Sequence, residues 1–497
     1  MKVNVINPTK AIITEHTPAE LDKLRKACSY TNSSISMLIK KHWEKQWLKE
    51  KDPVGWQVQL NDLQAQERCS LLEESGHDLY IRPGFLSYIK SIDLDVAISI
   101  KYPEITPLPW KKPIPFNLYD YQKKSVASFF RLSEKHGHIS LPTGAGKGAI
   151  LLTVIRTAGL DAVVVVPSKS IFNELLEKFQ EHLGKDLVGG FGNGKKDLNK
   201  KITIAIGKSL TMIEPGSEAY HFFNKKQLMA VDESHVFASA QLEKVCHGVL
   251  SSVPYRLFVS ATQVRNDGGQ KLLNSIIGPN LINMSIKEGI EGGFLSPLNF
   301  LILKTFSKST KRKKDAIENK REHFLYNQNI AELYGKFANS MWRAKKESTL
   351  ILVEELRQIE MLKDLIDVPF TYIHSAAKKE AAKFGLEKVS LKEELERFNN
   401  GEVKVLIGTR CIATGTNIYP VHNCINWMGG NSEIITKQGA MGRSTRLLEK
   451  SEYKDLHSPK PFARIVDCRV EGNQMLERHL KKRIEWYAEA DGEIKEL

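Results

Sequence analysis

The sequence predicts an α/β protein: two parallel-sheet domains in tandem, preceded by a small α+β domain. Three observations predict this. From Ser140 onward, short Val- and Ile-rich runs alternate with amphipathic segments, the pattern of parallel strands covered by helices. The alternation falls into two series, parted near Gly292-Gly293 and Pro297. At 497 residues the chain exceeds what one core fills, and typical domain sizes give roughly three or four domains, of which three are assigned.

The first series has strands at 162–166 (DAVVVVP), 202–206 (KITIAIG), 228–231 (before DESH) and 257–259 (before SAT). The second has NFLIL, STLILV, FTYIH, VKVLIGT, NCINWM and ARIVD, with helical stretches such as NQNIAELYGKFANSMW between them. VGGFGNGKKD is expected to be a loop, and the run Lys311-Arg312-Lys313-Lys314 a solvated loop that can touch phosphate. Ahead of these lie a strand-like VNVINPTKAIIT, a helix in TPAELDKLRKAC, and the proline-rich PEITPLPWKKPIP, an extended linker. The expected division is therefore 1–110, an accessory domain that engages DNA; 111–297, the first α/β domain; and 298–497, the second.

Hydrophobic residues make up 41% and charged residues 26%, which excludes a disordered or fibrous chain. Lys and Arg outnumber Asp and Glu by 72 to 58, a formal charge of +14 that suits a polyanion as partner, although a merely basic surface fits the charge equally well. The six cysteines are scattered without zinc spacing, so neither disulfides nor a structural metal is expected. No signal-peptide pattern and no run of roughly 18 apolar residues occurs, which predicts a cytoplasmic protein with no membrane partner.

The chemistry begins at LPTGAGKG, after an apolar strand and before a helical pattern. Gly144 and Gly146 let backbone N–H groups turn inward around phosphates, with Thr143, Ala145 and Gly148 completing the loop, and Lys147 offers a cation to the β- and γ-phosphates. Leu141 and Gly148 depart from the strict G-x-x-x-x-G-K-[ST] form. Downstream, Asp232 and Glu233 end an apolar strand, where Asp232 can hold Mg²⁺ through water and Glu233 can polarise an attacking water. Taken alone, that acidic pair also fits a polar strand-to-loop junction.

DESH resembles the DEAH-type box of superfamily 2 helicases, and further motifs of that superfamily follow in order over residues 118–446. LYDYQ resembles the adenine-sensing glutamine motif, with Gln122 able to bond both donor and acceptor edges of the base. VVVVPSKSIFNELLEKF and IAIGKSL resemble strand-contacting motifs, which assigns Ser168, Lys169, Lys208 and Ser209 to the nucleic-acid backbone. Ser260, Ala261 and Thr262 match the triad that couples nucleotide state to nucleic-acid contact, with His235 of the DESH box. In VLIGTRCIATGTNIYP, Thr409 and Arg410 are assigned to nucleic acid, and Gly415, Thr416 and Asn417 to the nucleotide or the domain cleft. QGAMGRSTR resembles the last motif, whose Arg443 and Arg446 act as arginine fingers on the γ-phosphate. Gln438 stands one position earlier than the Q-x-x-G-R-x-x-R form requires.

Within the superfamily the chain resembles phage recombination helicases of the UvsW type, and more distantly the XPB-like group. VRNDG with Arg265, a further candidate nucleic-acid contact, the VGGFGNGKKD loop and GFLSPL carry that likeness. The resemblance implies two RecA-like domains that hydrolyse ATP with Mg²⁺ in a cleft between them. It also implies a partner in forked or Holliday-junction DNA, unwound or branch-migrated, in the host cytoplasm if the chain is phage-encoded. An RNA-remodelling ATPase and a nucleotide-gated clamp that no longer turns over remain alternatives.

Overall fold

The computed structural model describes residues 1–91, 97–100, 117–132, 135–237, 239–261, 270–306, 315–413 and 416–497. The proline-rich linker at 103–115 and the basic run at 311–314 lie outside them. Contacts divide the chain into two compact units: Met1–Leu141 with Gly146–Asn283, and Pro142–Ala145 with Met284–Leu497. No described helix is long and apolar enough to cross a membrane.

The N-terminal part carries strands β1 (Lys2–Asn7), β2 (Lys10–Thr14), β3 (Ser29–Thr31), β4 (Arg68–Ser70), β5 (Glu73–Ser75), β6 (Asp78–Ile81) and β7 (Ala97–Ile100). VNVINPTKAIIT is thus two antiparallel strands, with Val3, Val5, Ala11 and Ile13 turned inward by the two-residue period. Among the described residues one sheet runs β5-β6-β2-β1-β7, and β3 pairs with β4 apart from it. The helix Pro18–Cys28 starts where the sequence predicts, because Thr17 and Glu20 form a capping box and Pro18 takes the first turn.

This part shares a unit with the first α/β domain and is pinned to it. Leu272, on the helix Gln270–Ile277, packs into the N-terminal core with Phe85 and Leu86. Lys271 Nζ donates to the carbonyls of Ala27 at 3.0 Å and Ser29 at 2.8 Å, and Arg82 pairs with Glu243. A Cβ on Gly84 would stand 2.4 Å from the Ser275 carbonyl, so the backbones approach as closely as glycine allows. Removing residues 1–110 is therefore expected to destabilise the first unit by roughly 1–3 kcal/mol, through an uncovered Leu272 and two stranded charges. An unchanged denaturant midpoint for that unit would show that these contacts carry little.

The first α/β domain is built on β8 (His136–Ser140), β9 (Ala162–Val166), β10 (Val188–Gly192), β11 (Lys195–Lys196), β12 (Ile202–Ile206), β13 (Leu228–Asp232), β14 (Tyr255–Ser260) and β15 (Asn280–Asn283). Their order is β11-β10-β12-β9-β13-β14-β8-β15, parallel throughout except for the short antiparallel β11. β9, β12 and β13 are buried along their whole length, which is why they read as unbroken apolar runs. VGGFG, expected to be a loop, is the strand β10. Its glycines are needed for clearance, since a Cβ on Gly190 would meet the Phe172 ring at 2.8 Å and Lys195 at 2.9 Å.

The second domain has β16 (Leu298–Phe306), β17 (Thr349–Val353), β18 (Phe370–Ile373), β19 (Val405–Gly408), β20 (Asn423–Trp427), β21 (Ala463–Glu471) and β22 (Ile494–Glu496), ordered β18-β19-β17-β20-β21-β16-β22 and all parallel. The six strands expected from the sequence are all present; β22 was not foreseen. Beneath the sheet, the wholly buried Asp467 accepts from Arg483 Nε at 2.6 Å, Arg483 Nη2 at 2.9 Å and the Tyr487 hydroxyl at 2.8 Å.

Candidate nucleotide site

In an open parallel sheet, ligands gather beyond the carboxyl ends of the strands. Three adjacent strands, β13, β14 and β8, end there in register, Asp232 opposite Val259 and Ser260 opposite Ser140. β8 runs into the phosphate-loop sequence. Gly144 and Gly146 have φ of +92° and +72°, left-handed values that glycine takes without strain, and Gly146 opens the helix Lys147–Ala158. Lys147 is 8% exposed, and its Nζ lies 3.2 Å from Glu233 Oε1 and 3.5 Å from the Leu141 carbonyl.

Glu233 follows β13 at φ +48°, a left-handed turn that costs a non-glycine residue on the order of 1 kcal/mol. The turn sets its carboxylate against the Lys147 ammonium. Its other oxygen is 3.4 Å from His235 Nδ1, and that nitrogen also meets the Ser260 hydroxyl at the end of β14. Lys147, Glu233, His235 and Ser260 therefore form one continuous chain of contacts. The Asp232 carboxyl is pushed up to about 7 by burial and by the neighbouring Glu233, against the pull of Lys147. A buried carboxylate in that state lacks enough positive charge around it, so a hard divalent cation at Asp232 suits the donor chemistry.

Gln122 sits beside the loop: its amide oxygen accepts from the Tyr119 N–H at 3.0 Å, and its Nε2 would be 2.4 Å from a Cβ on Gly146. It serves the start of its helix and faces the phosphate loop at once. At Gly148 the φ is ordinary and a Cβ would meet only Leu175 at 3.6 Å and Lys178 Nζ at 3.9 Å, so a larger residue fits. Gly148→Thr is expected to fold, to keep its ATPase, and to lower the metal concentration for half-maximal rate by several-fold, since a hydroxyl replaces a water as ligand. An unchanged metal titration would remove position 148 from the metal shell.

The expected strand contacts also come together. β9 and β12 are neighbours, with Val166 opposite Ile206, so Ser168-Lys169 and Lys208-Ser209 leave the sheet side by side. Lys169 and Lys208 are exposed, while Ser168 Oγ accepts from the Ile171 N–H at 3.4 Å and caps its helix. Thr262 and Arg265 lie outside the described residues, as does Gly415.

In the second unit, Thr409 and Arg410 follow β19, and Arg410 Nη2 lies 3.2 Å from Glu354. Arg443 is 2% exposed and donates to the carbonyls of Thr416 at 2.7 Å and Ile412 at 3.3 Å. In this arrangement it holds the backbone at Ile412 and at Thr416. Arg446 is half-buried, bonded to the Asn417 side-chain carbonyl, with its guanidinium 5.6 Å from the Tyr419 ring. Gln438 is buried within Ile434–Met441, a stretch of π-helix. A π turn takes one residue more than an α turn, matching the one-residue offset of Gln438 from the expected pattern.

Sequence reasoning missed Lys460. It is buried, and its ammonium grips the carbonyls of Ser444 at 2.8 Å and Arg446 at 2.5 Å, fixing the backbone that carries both arginines. Burial draws its pKa down to about 7. Nothing in the sequence around SPKPF marks it.

A phosphate-loop sequence after β8 and an acidic-box sequence after β13, at the same end of one parallel sheet with β14 between them, are the arrangement of a nucleoside-triphosphatase of the RecA-like kind. Residues 115–265 match the family "Type III restriction enzyme, res subunit", and residues 327–447 match "Helicase conserved C-terminal domain". A DNA 3'-5' translocase XPB2 from Sulfurisphaera tokodaii is 27% identical over 406 residues, 76% of this chain and 87% of that protein. In structure, a fragment of a putative HsdR subunit of a type I restriction enzyme from Vibrio vulnificus YJ016 aligns at TM-score 0.53 and 17% identity, over 76% of this chain and 67% of that one. T4 UvsW aligns at TM-score 0.43 and 15% identity, over 100% and 98%. These matches mark the chain as an ATP-dependent helicase, similar to the superfamily 2 helicases, that binds nucleic acid and uses ATP with a divalent metal.

Proposed function

We propose that this helicase is a DNA translocase that unwinds or branch-migrates forked and Holliday-junction-like DNA, with Mg²⁺ as its metal, in steps that serve recombination, repair or replication. The contact chain from Lys147 through Glu233 and His235 to Ser260 carries the catalytic part of this reading. It joins the phosphate loop to the acidic box and to the strand end leading into Ser260-Ala261-Thr262. The XPB2 relative supports DNA as the track.

In this reading the residues divide as 1–110, 111–297 and 298–497. The loop from Thr143 to Gly148 wraps the phosphates by its N–H groups, and Gln122 selects adenine. Lys147 leaves Glu233 for the β- and γ-phosphates. That frees Glu233 to orient the attacking water, while His235 and Ser260 pass its position toward the nucleic-acid face. Asp232 would hold Mg²⁺ through water, and the bound ion would neutralise charge building on the phosphates. Arg446 supplies a charge to the γ-phosphate, Arg443 holds the backbone at Thr416, and Gly415, Thr416 and Asn417 face the nucleotide. Lys169 and Lys208, with Thr409, Arg410 and Arg265, take strand phosphates.

The test is ATPase stimulation and strand products on fork, Holliday junction, blunt duplex, single strand and RNA. Stimulation by forks and junctions with strand exchange supports the proposal. Stimulation by RNA alone replaces it with RNA remodelling.

A further inference from the structure

The N-terminal part holds a helical hairpin that the nucleotide site does not use. It comprises Ser33–Trp43, Gln46–Lys51 and Pro53–Glu67. Its interior is Trp56, stacked on His42 at 4.8 Å and met edge-on by Trp43 at 4.9 Å. Outside that interior the hairpin leaves large apolar groups in water. Trp47 is 62% exposed and Trp43 44%, with Met37, Leu38, Val54 and Val58 exposed as well. Soluble surfaces seldom leave such rings uncovered without a partner.

The segment that bears both tryptophans is the basic part of the hairpin, whose last helix has no lysine and adds Asp62 and Glu67. Residues 40–51 contain Lys40, Lys41, Lys45, Lys49 and Lys51 against only Glu44 and Glu50. Lys49 Nζ already stands 4.9 Å from the Trp56 ring and 5.7 Å from the Trp43 ring, so cation and aromatic faces occupy one place. Two nearby carboxylates are engaged within the fold: Asp52 caps the Gly55 N–H, and Glu67 accepts from the Ser36 hydroxyl. Lysines spaced among exposed flat rings match a polyanion that also carries flat apolar faces. Unpaired nucleotides have both, whereas a duplex hides its base faces.

We propose that this hairpin is a second nucleic-acid site, which holds unpaired nucleotides by stacking bases on Trp47 and Trp43 while the lysines at 40, 41, 45, 49 and 51 neutralise the strand. The inference rests on the reading of the chain as a nucleic-acid motor and adds a hold on the single strand exposed at a branch. It is independent of the phosphate-loop chemistry.

The full-length chain is titrated with labelled oligo-dT and with a blunt duplex, and its ATPase is measured alongside without nucleic acid and with each of the two. Trp47→Ala is expected to weaken oligo-dT binding on the order of ten-fold, with duplex affinity and basal ATPase unchanged and with Trp47→Phe restoring binding. Lys41→Ala, which touches no core, is expected to lower the salt dependence of oligo-dT binding by about one phosphate contact. Unchanged oligo-dT affinity in Trp47→Ala, or an equal loss on duplex, overturns the proposal. So does a wild-type chain that self-associates through this face while Trp47→Ala does not. If duplex stimulates the ATPase and the hairpin variants bind oligo-dT normally, only this inference fails. If no nucleic acid stimulates the wild type, the DNA-translocase reading fails with it.

Discussion

Lys147→Ala is expected to lower ATP turnover by about 10²–10³-fold, the usual consequence of removing one preorganised charge from a phosphate site. The ammonium is buried 3.2 Å from Glu233 and next to the crowded Asp232, so its loss also leaves two carboxylates facing each other without a cation. Glu233→Gln should be just as slow in turnover but should retain ATP, because the amide keeps its size and loses only the charge that orients water. The check is nucleic-acid-stimulated phosphate release, with binding of a fluorescent ATP analogue followed in parallel. Turnover at the wild-type level in either variant would remove that residue from the chemistry.

Asp467→Ala is expected to cost the second unit about 3–5 kcal/mol, a large share of the roughly 5–15 kcal/mol by which a domain is ordinarily stable. The Arg483 guanidinium is 2% exposed and is neutralised by Asp467 through two bonds of 2.6 and 2.9 Å. Its remaining nitrogen is held by the Gly430 carbonyl. Truncating the carboxylate leaves a buried charge with no counter-ion, whereas replacing the pair together, Asp467→Leu with Arg483→Met, should cost far less. Urea unfolding of the three proteins decides it. A single-variant loss below about 1 kcal/mol, or a double variant no better than the single, would mean that the pair is not what holds the helix Gln474–Ala488, which carries Arg483, to the sheet.

Much of this was legible in the chain itself. A fully buried parallel strand must be apolar on both faces, so AVVVV, ITIAI and LMAVD announce themselves as strands without any partner being known. The phosphate loop and the acidic pair are equally local, since glycine at positive φ and a carboxylate after an apolar run can be read from a few residues. β10 escaped because its glycines suit both a loop and a tightly packed strand, and only the ring of Phe172 and the chain of Lys195 tell them apart. The attachment of the N-terminal part escaped for a related reason: Lys271 and Ala27 are far apart in sequence, and nothing in either residue names the other.

The sequence by itself determined the fold class and the two series of parallel strands, and it singled out the phosphate-loop and acidic-box residues as candidates, because each rests on periodicity or on backbone chemistry within a few neighbours. Only the tertiary structure decided which groups touch. It turned Glu233 toward Lys147 by a left-handed residue, joined His235 to Ser260 across 25 positions, buried Arg443 among backbone carbonyls and set Lys460 beneath the arginine-bearing turn. Those pairings depend on strand order and register, which place distant residues side by side, and no local pattern along the chain carries that information.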